Sequence, residues 1–149
     1  MIKKADKIYV LIQALLFIIY LIPFTVFRLS IMPFIRYTGI FLLTIGVLIA
    51  IIALLQLNRF LTPFPTPKKE SKLLQSGIYK FIRHPIYTGI ILASFGYSFY
   101  AESVWKFFIA VLLFILFYLK SKYEESLLMN HFVDYQNYRK VTGRFFPFI

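Results

Sequence analysis

The chain has 149 residues and 17.6 kDa, of which 60% are hydrophobic, 20% aromatic and only 15% charged, with a mean hydropathy of +0.74. A soluble domain carries about 25% charged residues, so this chain has too little polar surface to enclose its apolar content and must use lipid as solvent. Its 17 Lys and Arg against 6 Asp and Glu leave a formal charge of +11, suited to an anionic membrane surface, and the absence of Cys excludes disulfides, a thiolate nucleophile and a cysteine-ligated metal.

Ile8 to Phe27 is the first apolar run, interrupted by Gln13, Pro23 and Thr25. At about 1.5 Å per residue it is long enough to cross a hydrocarbon core of roughly 30 Å. Lys3, Lys4 and Lys7 precede it as they would a signal peptide, but the run lacks a small-x-small cleavage site and continues into apolar sequence, so it reads as a retained span. A second span is expected over Tyr37 to Leu57, where Gly39 and Gly46 mark a face for close helix packing.

Residues 58–85 then form a basic loop. Pro63, Pro65 and Pro67 fix φ and remove amide donors, giving a stiff extended connector that carries Phe64 along the membrane surface. Ile86 to Tyr100 is the third span, the shortest and least apolar, with Gly89, Ser94, Gly96 and Ser98 along it. The fourth runs from Val104 to Leu119, with Trp105 and Tyr118 as interfacial anchors and Lys106 snorkelling at one end. Only Ala101, Glu102 and Ser103 separate these two, which predicts an antiparallel hairpin.

From Lys120 to Lys140 the pattern turns amphipathic, with Leu127, Leu128, Phe132, Tyr135 and Tyr138 among polar residues, as in a helix lying partly at the interface. The tail from Arg144 to Ile149 is too short to span and either packs on the bundle or lies among the headgroups. The expected fold is therefore an all-α polytopic membrane protein: a single domain over 1–149 with four transmembrane helices and an amphipathic C-terminal helical segment in 120–149.

Four crossings place the amino terminus, the 58–85 loop and the tail on one side. Fourteen of the 17 basic residues fall there: Lys3, Lys4 and Lys7; Arg59, Lys68, Lys69, Lys72, Lys80 and Arg83; Lys120, Lys122, Arg139, Lys140 and Arg144. Arg28, Arg36 and Lys106 lie opposite. This asymmetry predicts cytoplasmic termini, and it accounts for the positive charge with no nucleic-acid partner; the expected location is the plasma membrane of a bacterium or archaeon.

Two polar clusters exceed what an anchor needs. Tyr79, Arg83, His84, Pro85, Tyr87 and Gly89 sit where the loop enters the third span. An arginine there binds a carboxylate or phosphate, a histidine moves a proton, and a proline suits the first helical turn; the same residues also serve as interfacial anchors. Glu124 and Glu125 follow the fourth span. Adjacent helical side chains point about 100° apart, so one carboxylate would contact a ligand while the other orients a neighbour; a solvated helix face is the plain alternative. No nucleotide-binding, hydrolase or metalloprotease motif is present, and two distant histidines, His84 and His131, give no metal site.

The run Gly77-Ile-Tyr-Lys-Phe-Ile-Arg-His-Pro-Ile-Tyr-Thr-Gly89 resembles the signature of the isoprenylcysteine carboxyl methyltransferase family and its phospholipid methyltransferase relatives. Thr62-Pro-Phe-Pro-Thr-Pro-Lys68 resembles its bacterial members, and Glu124-Glu125, Leu128, Phe132, Tyr135, Tyr138, Val141, Arg144 and Pro147 follow its C-terminal pattern. The likeness covers residues 58–149. It implies an integral-membrane enzyme that binds S-adenosyl-L-methionine without a Rossmann fold and methylates an apolar isoprenoid or phospholipid-like acceptor, a carboxylate or an amine, supplied from the surrounding membrane lipids.

The resemblance implies Tyr79, His84, Pro85, Tyr87, Gly89, Glu124 and Glu125 as cofactor-binding residues, with Arg83, Glu125 and Arg144 as catalytic ones. Phe132-Val-Asp-Tyr135 departs from the family's Phe-Gly-x-x-Tyr, which implies a changed acceptor pocket. An NADPH-dependent membrane reductase of sterol or isoprenoid type and a non-catalytic membrane scaffold are the competing functions. The sequence leaves oligomeric state open.

Overall fold

The computed structural model describes residues 3–24, 32–58, 61–67 and 71–147; Arg28, Arg59, Lys68 and Lys69 of the charge pattern, and the last three residues of the first expected span, lie outside them. Among the described residues the helices are α1 (Lys4–Leu21), α2 (Pro33–Leu57), α3 (Pro85–Tyr100), α4 (Val104–His131) and α5 (Tyr135–Val141), with a 3-10 turn at Gly77–Lys80 before α3. No strand occurs among them.

Local chemistry sets the helix starts. Pro33 and Pro85 occupy the first turns of α2 and α3, where a missing amide costs no helical hydrogen bond. Ser103 caps α4 by accepting from the Lys106 amide at 3.3 Å. Asp6 accepts from the Lys3 amide at 2.8 Å and places negative charge at the positive end of α1. That bond explains why α1 begins at Lys4, before the apolar run.

The four long helices overlap the four expected segments but differ from them at their ends: α1 stops at Leu21, just before Pro23, and α4 runs past Leu119 to His131. Two of them, α2 and α4, are long and apolar enough to cross a membrane. Only 11% of the most apolar stretch of α2 is buried, and Phe41 and Leu55 are 63% and 72% exposed. A core helix of a soluble protein would be covered on all sides. α1 carries Lys4, Asp6 and Lys7 in its 18 residues, and α3, with 16, is about 24 Å long.

The amphipathic segment differs from expectation. It is no separate helix: α4 continues unbroken for 28 residues to His131. Lys120–His131 contains neither Gly nor Pro and is rich in helix formers, so loss of the apolar pattern does not end the helix. The chain instead turns extended at Phe132 (φ −119°, ψ 121°), and α5 follows after Asp134.

Packing runs α2 on α3, α3 on α4 and α4 on α1, with α3 and α4 joined through Ala101–Ser103 as the expected hairpin. Glycines seven residues apart bring α2 and α3 together. A Cβ on Gly46 would lie 2.6 Å from the Gly89 carbonyl oxygen, and one on Gly96 would lie 2.6 Å from that of Gly39. Gly39 and Gly46 thus form the packing face that their spacing predicts. Ile91, Ile109, Leu113, Phe117 and Phe145 make a buried core between α3, α4 and the C-terminal tail. Of the two placements open to the tail, Phe145 takes the one against the bundle, while Phe146 and Pro147 are exposed.

Candidate active site

The turn at Gly77–Lys80 is held on the end of α2. Gly77 adopts φ +59°, a conformation only glycine enters freely, and a Cβ there would meet the Gln56 side chain at 2.3 Å. Gln56 accepts from the Ile78 amide at 3.1 Å, and the Tyr79 hydroxyl donates to the Ala53 carbonyl at 3.3 Å. Past this turn, Ile82 pairs in parallel with Gly143 in the stretch after α5. The Gly143 amide donates to the Phe81 carbonyl at 3.1 Å, the Arg83 amide to Gly143 at 2.9 Å and the His84 amide to Arg144 at 3.1 Å. Thr88 adds a hydroxyl bond to the Phe145 carbonyl at 2.8 Å. The loop before α3 and the C-terminal tail are thus sewn together by their backbones.

Glu125, 2% exposed, sits at the junction. Its Oε1 accepts from Arg83 Nε at 3.0 Å and Arg144 Nε at 3.1 Å, its Oε2 from Arg144 Nη2 at 2.8 Å, and Arg139 Nε lies 3.7 Å from Oε2. His84 Nε2 is 3.3 Å from Oε1. Arg83 also donates through Nη1 to the carbonyls of Arg139 and Thr142. Arg144 reaches Glu125 despite the altered spacing after Phe132.

Glu125 lies beyond the apolar part of α4, residues 104–119. Burial alone would push its carboxyl up, but the hydrogen bonds from His84, Arg144 and Arg83 outweigh that and hold it well below the usual carboxylate range. The Glu125 hydrogen bond in turn raises Arg144. Burial lifts Tyr138, whose hydroxyl donates to the Tyr79 carbonyl at 2.6 Å, to about 12.

Glu124 points elsewhere. Its Oε2 accepts from the Tyr87 hydroxyl at 2.8 Å and lies 3.8 Å from His84 Nδ1. The His84 and Tyr87 rings are parallel, 5.4 Å apart. These groups face a cavity of about 340 Å³ whose wall includes Tyr79, Arg83, His84, Pro85, Tyr87 and Glu124, with Phe132, Tyr135 and Tyr138 from the C-terminal segment and residues of the proline-rich stretch 61–67. Six of the sequence-derived residues therefore share one wall. Glu125 and Arg144 stand behind it, and Gly89 contacts α2 and lines a separate apolar crevice with Phe17, Val47 and Ala93.

Two wall residues, Gln13 and Lys120, were not picked out as site residues from the sequence, and Tyr135 was named only as part of the C-terminal pattern. Lys120, 1% exposed, donates to Gln13 Oε1 at 2.6 Å and to the Pro63 carbonyl at 2.9 Å, and its ammonium lies 5.4 Å from the centre of the Tyr87 ring. The Tyr135 hydroxyl is buried with no hydrogen-bond partner among the described residues. Gln13 within an apolar run and Lys120 at the end of another were the available signal, since such polar groups are expensive unless used.

A family model described as phospholipid methyltransferase matches residues 34–134, more than half of the chain. The chain belongs to the phospholipid methyltransferase family. No curated protein matches it. The family match contains α2, α3, the loop between them and α4, so it includes Tyr79, Arg83, His84, Pro85, Tyr87 and both glutamates, while Arg144 lies beyond it. Membership makes the protein a membrane methyltransferase directed at lipid-like substrates.

Proposed function

We propose that the cavity binds S-adenosylmethionine and that the enzyme transfers its methyl group to a membrane-embedded isoprenoid or lipid-like acceptor. The observation that carries this is the convergence of the Arg83-His84-Pro85-x-Tyr87 segment and Glu124 on one wall. The cavity has the size of small-molecule sites, about 300–1,000 Å³. Its donor set also fits: a carboxylate for cationic groups, and the rings of Tyr79, Tyr87 and Phe132 for a flat base.

When bound, S-adenosylmethionine supplies an electrophilic sulfonium methyl group. Glu124, aimed by the Tyr87 hydroxyl, holds the cationic parts of the donor. Glu125 is a positioning residue: it fixes Arg83 and His84 from behind and, bound by arginines, is too weakly basic to take a proton. The stretch 61–67 excludes water, and the protein's main contribution is alignment for in-line displacement. A carboxylate acceptor is nucleophilic when ionised and would be oriented by Arg83; an amine acceptor would lose its proton to Glu124 or His84.

Four membrane-crossing helices, α1 to α4, with both termini on the cytoplasmic side, bring the acceptor to this cavity from the bilayer. The positive-inside asymmetry supports that topology.

Equilibrium binding of labelled S-adenosylmethionine to detergent-purified enzyme tests the proposal. Saturable binding is expected, weakened at least tenfold in Glu124→Gln and in Tyr87→Phe. Binding of NADPH without S-adenosylmethionine would overturn it.

A further inference from the structure

The stretch 61–67 forms one side of the cavity, yet its backbone is poor in hydrogen-bonding capacity. Pro63, Pro65 and Pro67 have no amide donors, and the Phe64 amide is used internally, donating to Thr62 Oγ1 at 3.2 Å. Among the described residues, two bonds tie this strap to the helices. Thr66 Oγ1 donates to Asp6 Oδ2 at 2.6 Å, and Lys120 Nζ donates to the Pro63 carbonyl at 2.9 Å. Asp6 and Lys120 lie on different helices and are 0% and 1% exposed.

Burying an ionisable carboxylate and an ammonium costs several kcal/mol each before pairing, far more than anchoring a surface loop requires. Lys120 has further contacts. It bonds Gln13 on α1 and lies over the ring of Tyr87, the residue that aims Glu124. One ammonium therefore joins the strap, α1 and the wall that faces the ligand.

We propose that Asp6 and Lys120 are positioning residues that hold the strap 61–67 against the cavity, so that release of these two buried ties widens the entry for ligand. What the strap borders rests on the donor assignment above; the strap itself does not. Lys120 couples the seating of the strap to the setting of Tyr87, so the wall that meets the ligand is completed only when the strap is seated.

The chain has no Cys, so single cysteines report accessibility without background. Leu128→Cys places a half-buried thiol on the cavity wall, on α4; Ser121→Cys is buried on α4 but off that wall, and Val133→Cys is 98% exposed. The rate of labelling by a water-soluble maleimide is measured for each, alone and combined with Thr66→Val or Lys120→Met.

Loss of either tie is expected to speed Leu128→Cys labelling about tenfold, the equivalent of one charged hydrogen bond, while Ser121→Cys and Val133→Cys keep their rates. Thr66→Val removes one hydroxyl and carries the test if Lys120→Met does not fold. Unchanged labelling at Leu128→Cys in Thr66→Val overturns the proposal, as does equal acceleration at Ser121→Cys, which signals general loosening. Saturating S-adenosylmethionine is added as a separate arm: if the ties control access but the compound gives no protection, the strap stands and the donor assignment fails.

Discussion

Replacing Glu125 with Gln removes one charge from the group that joins the loop before α3 to the C-terminal tail. Both carboxylate oxygens accept hydrogen bonds, Oε1 from Arg83 and Arg144 and Oε2 from Arg144. An amide offers one oxygen, and its NH₂ would face a guanidinium donor. Removing one partner of a buried ion pair costs about 3–5 kcal/mol. The low end applies, because the Arg144 and Arg139 side chains are 17% and 47% exposed and regain some hydration. At about 2–4 °C per kcal/mol for a domain of this size, the expected fall in apparent melting midpoint is roughly 6–12 °C. Scanning fluorimetry at one detergent concentration and one scan rate measures it, since membrane proteins unfold irreversibly. Arg139→Ala is the comparison: at 3.7 Å and half exposed, its pair with Glu125 should contribute less than about 1 kcal/mol. A midpoint within about 2 °C of the parent for Glu125→Gln, or an equal loss for Arg139→Ala, would refute the reasoning.

The same carboxylate sets a pH dependence. Its folded pKa lies below its ordinary 4.5, so its stabilisation is complete above that value and is lost as pH falls toward the folded one; the acid fall in melting midpoint should flatten in Glu125→Gln. Gly96→Ala puts a methyl 2.3 Å from the Leu43 amide nitrogen, and forcing α2 from α3 should cost about 1–3 kcal/mol, read as a lower melting midpoint. Tyr138→Phe loses the 2.6 Å bond to the Tyr79 carbonyl and should destabilise by about 1 kcal/mol in the same assay.

Much of the fold follows from patterns that local physics enforces. Continuous apolar runs give the helices, prolines mark the starts of α2 and α3, and the spacing of Gly39 and Gly46 marks a packing face. The end of α4 was not legible, because a change from apolar to polar sequence alters what a helix faces and not whether it is a helix. The divergence of adjacent helical side chains anticipates that Glu124 and Glu125 have different surroundings. Which one takes the arginines depends on where the tail returns, and that is fixed by the backbone pairing of residues 81–84 with 143–144. Asp6, Gln13 and Lys120 were hidden for the same reason. Their partners are remote in sequence, and each alone looks like a charge or amide at the edge of a span.

Methyl transfer itself is the most direct measurement. Purified enzyme is incubated with a membrane lipid extract and S-adenosylmethionine carrying an isotopically labelled methyl group, and the lipids are analysed by mass spectrometry. The expected result is label in one lipid class, which also identifies the acceptor and the methylated atom, with a rate at least tenfold lower in Glu124→Gln. Folded enzyme that fails to bind S-adenosylmethionine, and leaves every lipid unlabelled, would contradict it.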